Sequence, residues 1–430
     1  MRILILFPSL YNGWDVLGKH FEASAINHGL ASISAVLKQD GHEVGLLDMR
    51  GLTGWEQFEQ TIKSLNFDVC LIGFHSVDMS FADKAIRIVK KIFPEIPVIA
   101  GGVHITYSEG IEKFSLADCI VQGEGELVTL DLIDQIAKGQ SIPHKVISKT
   151  IEDLDSLPFV DRNLFNQKHE NNNPILPLLP KPFFTINFSR GCGFRCSYCL
   201  ESKNLLWKGH RKRSALNCIE EIRSLGEVGS LMLHDDHLPF DQNWIYNFYL
   251  LWKSKIKKRI PFWCQLRADS IIRRKEIIPK LAEIGMTWVS MGLEGSQRFL
   301  DFYNKHLTVD QIIQAAEILH QNKINIFLNY ITGAPTETDA DIAELELILQ
   351  RIKPAWHSAS IYTSYPGSRL YDWIEKNKLW LEPIEDKNNH YNLQRFPFER
   401  KLAGVDYRKL MNETIPRLTS YKSELKIYEA

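Results

Sequence analysis

No stretch of the 430-residue chain approaches the roughly 18 consecutive apolar residues of a membrane-spanning helix. The first residues, Met1-Arg2-Ile3-Leu4-Ile5-Leu6-Phe7, run directly into Pro8, and so short a run is not a signal peptide. The expectation is a cytoplasmic protein with no transmembrane segment. Charge of one sign is lacking as well. Lys and Arg number 51, Asp and Glu 52, for a formal net charge of −1, which gives no basic footprint for nucleic acid. With 44% hydrophobic and 24% charged residues, the composition is globular rather than disordered. Cysteine is scarce: an odd 7 without a secretion signal argues against a disulfide framework. No solenoid-type repeat is present.

What is present is alternation. Short apolar runs at Arg2–Phe7, Val44–Asp48, Val69–Phe74, Val98–Ala100 and Cys119–Val121 take turns with helical patterns at Leu30–Asp40, Trp55–Leu65 and Phe81–Phe93. This order predicts a doubly wound, Rossmann-like α/β domain over residues 1–139. Residues 140–182, with Asn171-Asn172-Asn173 and then Pro174, Pro177, Pro180 and Pro182, read as a linker. Alternation resumes over 183–379, with strands expected at Phe184–Ser189, Ser230–His234, Phe262–Leu266, Trp288–Gly292, Asn325–Tyr330 and His357–Tyr362. Helical patterns such as Asn217–Leu225 and Asp310–Asn322 lie between them, and six βα units suit a partial (β/α)6 barrel of TIM type. A C-terminal extension, 380–430, carries at least one helix (Tyr407–Leu418).

The cysteines divide unevenly. Cys70, Cys119, Cys218 and Cys264 stand singly among apolar neighbours and read as buried small hydrophobes. The other three fall within Ser189-Arg190-Gly191-Cys192-Gly193-Phe194-Arg195-Cys196-Ser197-Tyr198-Cys199, directly after the expected first barrel strand. Three thiolates at this C-x3-C-x2-C spacing serve three irons of a four-iron cube and leave the fourth open for a substrate or cofactor. A zinc site would need another ligand, for which His210 is the near candidate.

This segment resembles the radical S-adenosylmethionine (SAM) superfamily, whose motif includes an aromatic residue where Tyr198 stands, near the adenine. The resemblance implies that Cys192, Cys196 and Cys199 hold a 4Fe–4S cluster. It implies further that the cluster's open iron binds SAM, and that one electron from the cluster cleaves SAM to a 5′-deoxyadenosyl radical. An electron donor such as flavodoxin or ferredoxin is then expected. Leu231-Met232-Leu233-His234-Asp235-Asp236-His237 ends a strand where the family often places a contact to the SAM amino end, so Asp235 and Asp236 are candidates. A separate metal site or a solvated turn stays open there. Ser290-Met291-Gly292-Leu293-Glu294-Gly295-Ser296 resembles the strand whose glutamate meets the SAM ribose, for which two carboxylate oxygens suit two hydroxyls. A helix N-terminal carboxylate is the other reading of Glu294. Tyr330-Ile331-Thr332-Gly333-Ala334-Pro335-Thr336-Glu337 resembles the family's glycine–proline–glutamate loop, in which Gly333 admits close approach to cofactor. Gln265, Arg267 and Asp269 alternate at another strand end, and Arg267 is the best placed of them for an anionic group. Tyr362 to Tyr371, with Pro366-Gly367, looks like the closing segment.

The first half is similar to the cobalamin-binding domain of a large branch of that superfamily. The similarity rests on Gly29-Leu30-Ala31-Ser32-Ile33, Gly41-His42-Glu43-Val44, Ala100-Gly101-Gly102-Val103-His104-Ile105-Thr106 and Gln122-Gly123-Glu124-Gly125-Glu126. It implies Gly101, Gly102, His104, Gly123 and Glu124 as cobalamin-pocket residues; Ser76 is a further candidate, although Gly73-Phe74-His75-Ser76-Val77 stands where the family's S-x-L motif is missing. The D-x-H-x-x-G motif that carries a cobalt-ligating histidine is absent from Phe7 to Asp15, and His20 and His28 lie outside any such motif. Together the resemblances imply a cobalamin-dependent radical SAM enzyme. Its expected activity is transfer of a methyl group from SAM, via methylcobalamin, to an unactivated carbon of a small-molecule, lipid or tetrapyrrole substrate. The alternative is ring formation, rearrangement or oxidation without methyl transfer. Tyr391, Phe396, Phe398 and Tyr407 are candidates for one wall of an apolar pocket, or for core.

Overall fold

A computed structural model describes residues 1–8, 26–107, 116–165, 179–203, 209–365, 367–380 and 402–422. The chain divides into two compact units, described residues up to 165 belonging to the first and those from 179 onward to the second.

In the first unit, strands β1 (Arg2–Phe7), β2 (Glu43–Asp48), β3 (Val69–Gly73), β4 (Val98–Gly101), β5 (Cys119–Gln122) and β6 (Lys145–Ile147) form one sheet in the order β2-β1-β3-β4-β5-β6. Every pairing is parallel. Side-chain alternation sorts β1 between two cores. Leu4 and Leu6 pack with Phe58 and Ile86 on one face, while Ile3 and Ile5 meet Leu30 and Ile133 on the other. Burial of both faces is why these strands read as continuous apolar runs. The helix His28–Gln39 starts where Asn27 accepts the Leu30 N–H, and the chain turns away at Gly41, φ 84°. The strand order reverses between β1 and β3, so the carboxyl edge there is the switch point at which doubly wound domains bind ligands. Strand β6 lies inside the stretch read from sequence as a linker. Its three residues carried too little pattern to register, yet Ile120, Val121 and Gln122 pair with Lys145, Val146 and Ile147.

In the second unit, β7 (Phe183–Ile186), β10 (Ser230–Leu233), β11 (Phe262–Gln265), β12 (Met286–Glu294), β13 (Asn325–Thr332) and β14 (Trp356–Ile361) form a parallel sheet in the order β14-β13-β12-β11-β10-β7. The two end strands are not joined, which makes this the expected partial barrel. Residues 189–190 and 211–212, as β8 and β9, form a separate antiparallel pair, whereas the sequence pattern carried the first barrel strand on through Ser189. Leu231, Leu233, Cys264, Val289 and Met291 share a core with the surrounding helices. Among the described residues no helix is long and apolar enough to cross a membrane. Tyr391, Phe396 and Phe398, the loop from Ser9 to Asp15, His20 and Pro366 lie outside the described residues. Tyr407 is buried and its hydroxyl accepts the Leu402 N–H, so it is core.

Candidate active site

The cysteine loop is held from three sides. Behind it, Asp235 at the end of β10 accepts the Phe188 N–H (2.9 Å), the Ser189 N–H (2.6 Å) and the Ser189 hydroxyl (2.6 Å), all on Oδ1. Ahead of it, the Ser197 N–H donates to the Tyr303 carbonyl (2.8 Å), and Asn304 Nδ2 donates to the Arg195 carbonyl (3.0 Å). Beyond it, the Leu370 N–H donates to the Ser197 carbonyl (2.8 Å) from the closing segment. Gly191, φ 75°, makes the entering turn.

Among the described residues, the trio of metal-type side chains whose ligand atoms lie within 4.8 Å of one another is Asp40, His42 and Asp134. The three thiols are therefore spread more widely than that. Thiolates on one tetrahedral zinc stand ~3.8 Å apart, from a Zn–S length of about 2.3 Å. The wider spread fits the corners of a multi-iron cluster. His210 lies against His237 instead, ring centroids 6.0 Å apart.

The structure brings Tyr198 and Glu294 together, with the phenol donating to the carboxylate; burial foremost, then that carboxylate, pushes the Tyr198 hydroxyl pKa well up. Glu294 closes β12 at a break in register, with φ 69°. A Cβ on Gly292 would stand 2.1 Å from Glu294 Oε1, so glycine there leaves the carboxylate its place. The sequence reading missed its partner. Lys305 Nζ forms an ion pair with Glu294, the two side chains 5% and 9% exposed. Nothing in the local pattern around Lys305 marks it; only the fold returns it to the end of β12. A carboxylate already charged and oriented is suited to accept from two ribose hydroxyls, and this fits SAM.

Asp235 and Asp236 separate by role. Asp235 is buried, its pKa raised by burial to about 7, and its Oδ2 has no partner among the described residues. Asp236 reaches solvent at the rim, with desolvation raising its carboxyl. The three bonds on Asp235 give it a structural task, clamping the chain that enters the cysteine loop. Asp235→Asn keeps an acceptor and is expected to retain iron uptake. Asp235→Ala, which leaves buried N–H groups unpaired at about 1–3 kcal/mol each, is expected to lose several-fold in iron per chain measured after reconstitution. Gly333, φ 72°, donates its N–H to Glu337 Oε2 (2.7 Å), and a Cβ there would meet Leu410 Cδ1 at 2.7 Å. The space beside Gly333 is thus taken by Leu410. Burial raises the Glu337 carboxyl to about 7.

In the first unit, the expected pocket residues gather at the carboxyl ends of β3, β4 and β5. His104 Nδ1 and Ser76 Oγ are 3.2 Å apart, and the ring tilts over Phe74. Gly102, φ 106°, would place a Cβ 2.7 Å from Phe74 N and O, while one on Gly123 would fall 2.4 Å from Ser148 Oγ. Both glycines are therefore required by close approach of the chain to itself. Gly101 meets only ordinary contacts. Glu124 accepts the Ile151 N–H (2.6 Å), which ties the β5 loop to the stretch expected as linker. A buried neutral imidazole with a hydroxyl beside it, at a switch-point edge, fits a bulky uncharged group edged with amides.

Burial lowers the His104 pKa to about 4 from 6.5. Between those values the unfolded chain binds the proton and the folded domain does not, so stability falls as pH drops through that window and levels off below it. The wild type is expected to lose about 2 kcal/mol more than His104→Gln between pH 7 and pH 5, read from urea unfolding of the first unit's signal.

Three spread thiols on a loop at the mouth of a six-stranded half-barrel, with a ribose-type acceptor three strands along the sheet, define an enzyme of the radical SAM class. The radical SAM superfamily model matches residues 186–347, and the B12 binding domain model matches residues 14–133. The chain thus carries a B12 binding domain and a radical SAM domain together, the combination of the cobalamin-dependent radical SAM enzymes, and the cofactors these imply are a 4Fe–4S cluster, SAM and cobalamin. An anaerobic magnesium-protoporphyrin IX monomethyl ester cyclase of Rubrivivax gelatinosus is 25% identical over 436 residues, covering 94% of this chain and 74% of the relative. The hopanoid C-3 methylase of Methylococcus capsulatus is 24% identical over 366 residues, covering 80% and 67%. The structure of the radical SAM methyltransferase TsrM from Kitasatospora setae, with cobalamin and a 4Fe–4S cluster bound, superposes with a TM-score of 0.69 at 15% identity, over 93% of this chain and 82% of that one.

Proposed function

We propose that the protein is a C-methyltransferase that moves a methyl group from SAM to an unactivated carbon of an apolar, ring-containing substrate. The observation that carries this is the presence, in one chain, of the three-thiol half-barrel and the B12 binding domain. Bound together, the cluster, SAM and cobalamin supply radical cleavage and methyl carriage; the protein's part is to hold, orient and keep water away. Cys192, Cys196 and Cys199 hold the cluster and leave one iron open. Tyr198 and Glu294 hold the adenosine end of SAM, with Asp236 at the rim toward its amino end. Ser76, Gly101, Gly102, His104, Gly123 and Glu124 shape the cobalamin edge. A tetrapyrrole or polycyclic lipid substrate is supported by the names of relatives, among them a bacteriochlorophyllide d C-8(2)-methyltransferase of Chlorobaculum tepidum, 24% identical over 301 residues. The one-electron donor is an acidic protein of the flavodoxin or ferredoxin kind, working in the cytoplasm. A cleft of about 370 Å³ beside Phe194 of the cysteine loop, lined by Lys212, Arg273 and Arg274, supports that choice.

Ring formation without methyl transfer is the second reading, favoured by the cyclase's coverage of 94% of this chain. Anaerobic reconstitution with iron, sulfide and cobalamin, followed by SAM and reductant, separates the two. With substrate extracts present, 5′-deoxyadenosine and S-adenosylhomocysteine in step are expected of the methyltransferase. 5′-Deoxyadenosine alone selects ring formation, and neither product from a cluster-loaded chain overturns both.

A further inference from the structure

Arg267, the first residue after β11 and its following Leu266, makes four contacts with one guanidinium. Nη1 donates to the Cys196 sulfur at 3.9 Å, Nη2 to the Lys305 carbonyl at 2.8 Å, and Nε to Asp269 Oδ1 at 3.1 Å. The guanidinium carbon lies 3.7 Å from the centroid of the Phe194 ring, inside the cysteine loop. The side chain is only 11% exposed. A planar fork is required for this: a lysine ammonium can reach one of these partners but cannot stack on Phe194 while serving three acceptors in different directions.

We infer that Arg267 is a positioning residue that sets the reduction potential of the cluster held by Cys192, Cys196 and Cys199, an inference that rests on the assignment of those thiols. A hydrogen bond to a ligating sulfur stabilises the extra electron of the reduced state and raises the potential. The carboxylate of Asp269 offsets much of the guanidinium's charge, which leaves the aimed N–H as the larger influence. Low exposure keeps water from replacing it. The same guanidinium fixes the backbone of Lys305, whose ammonium is paired with Glu294. The group that tunes the electron's source therefore also anchors the cation beside the ribose acceptor.

The test is an anaerobic redox titration of the full-length reconstituted protein without SAM, followed by electron paramagnetic resonance of the reduced cluster, for wild type, Arg267→Lys and Arg267→Gln. In Arg267→Gln the reduced-to-oxidised ratio at any fixed potential is expected to fall about tenfold, which is ~59 mV for one electron. Arg267→Lys is expected to shift in the same direction by less. Iron and sulfide per chain are measured in parallel. Should Arg267→Gln fail to load, Arg267→Lys decides, since it keeps charge and bulk: an unchanged midpoint overturns the inference. Equal midpoints in all three also overturn it while leaving the cluster assignment standing. A wild type that takes up no four-iron cluster overturns the assignment of the thiols and the inference with it.

Discussion

Cys196→Ser is expected to reduce 5′-deoxyadenosine formation to background and to remove most of the reconstituted iron. The reason is local and chemical: serine's hydroxyl stays protonated at neutral pH, and an iron left by one of three thiolates has no spare ligand in the loop. The loop itself is expected to survive, because its hold comes from main-chain bonds to Tyr303, Asn304 and Leu370 rather than from sulfur. Far-ultraviolet circular dichroism should therefore match wild type while visible absorbance is lost. Cys264→Ala is the contrast. That thiol is fully buried against the Met286 sulfur at 3.8 Å, and burial raises its pKa far up. Its removal is expected to leave iron content unchanged. Equal iron loss in both variants would show that general stability, and not ligation, was being measured.

The second large effect belongs to Lys305. Lys305→Met leaves Glu294 as a buried carboxylate without its cation, a change that costs about 3–5 kcal/mol in comparable sites. Urea unfolding of the half-barrel should report a loss of that size. Lys305→Met with Glu294→Leu removes both charges and is expected to recover most of the stability, since well-packed apolar pairs replace buried ion pairs at little cost. Binding of SAM should not recover, because the acceptor is gone. A double variant that regains both would remove Glu294 from the cofactor site.

These residues differ in how far the sequence disclosed them. The thiols were legible because their chemistry needs a fixed local spacing, and the parallel strands because burial on both faces leaves unbroken apolar runs. Glu294 was legible through the resemblance of Ser290 to Ser296 to a ribose-contacting strand; that Gly292 leaves its carboxylate room is visible only in the fold. Lys305 was not, since an ion pair formed across eleven residues and a register break has no periodic signature. Arg267 was visible as a strand-end cation, yet its partner was read as an anionic ligand; the fold gives it a cysteine sulfur and a carbonyl. The glycines of the first unit were read as room for a ligand. Gly102 and Gly123 also make room for Phe74 and Ser148, a requirement that shows only once it is known what lies opposite each missing Cβ. Asp235 was expected as a cofactor contact from the resemblance alone; the three donors that its Oδ1 takes from the neighbouring strand's exit have no signature in the sequence.

Strand β6 bears on where this protein can be cut. A fragment ended at Gly139 would strip β5 of its outer neighbour, leaving Ile120, Val121 and Gln122 as a raw apolar edge open to pairing with other copies. It would also free Glu124 from the Ile151 amide and leave Leu164 and Phe165 out of the core that holds Ile3 and Ile5. The shortest first half that keeps its own sheet closed off ends beyond Phe165, some two dozen residues past the point where the apolar pattern fades.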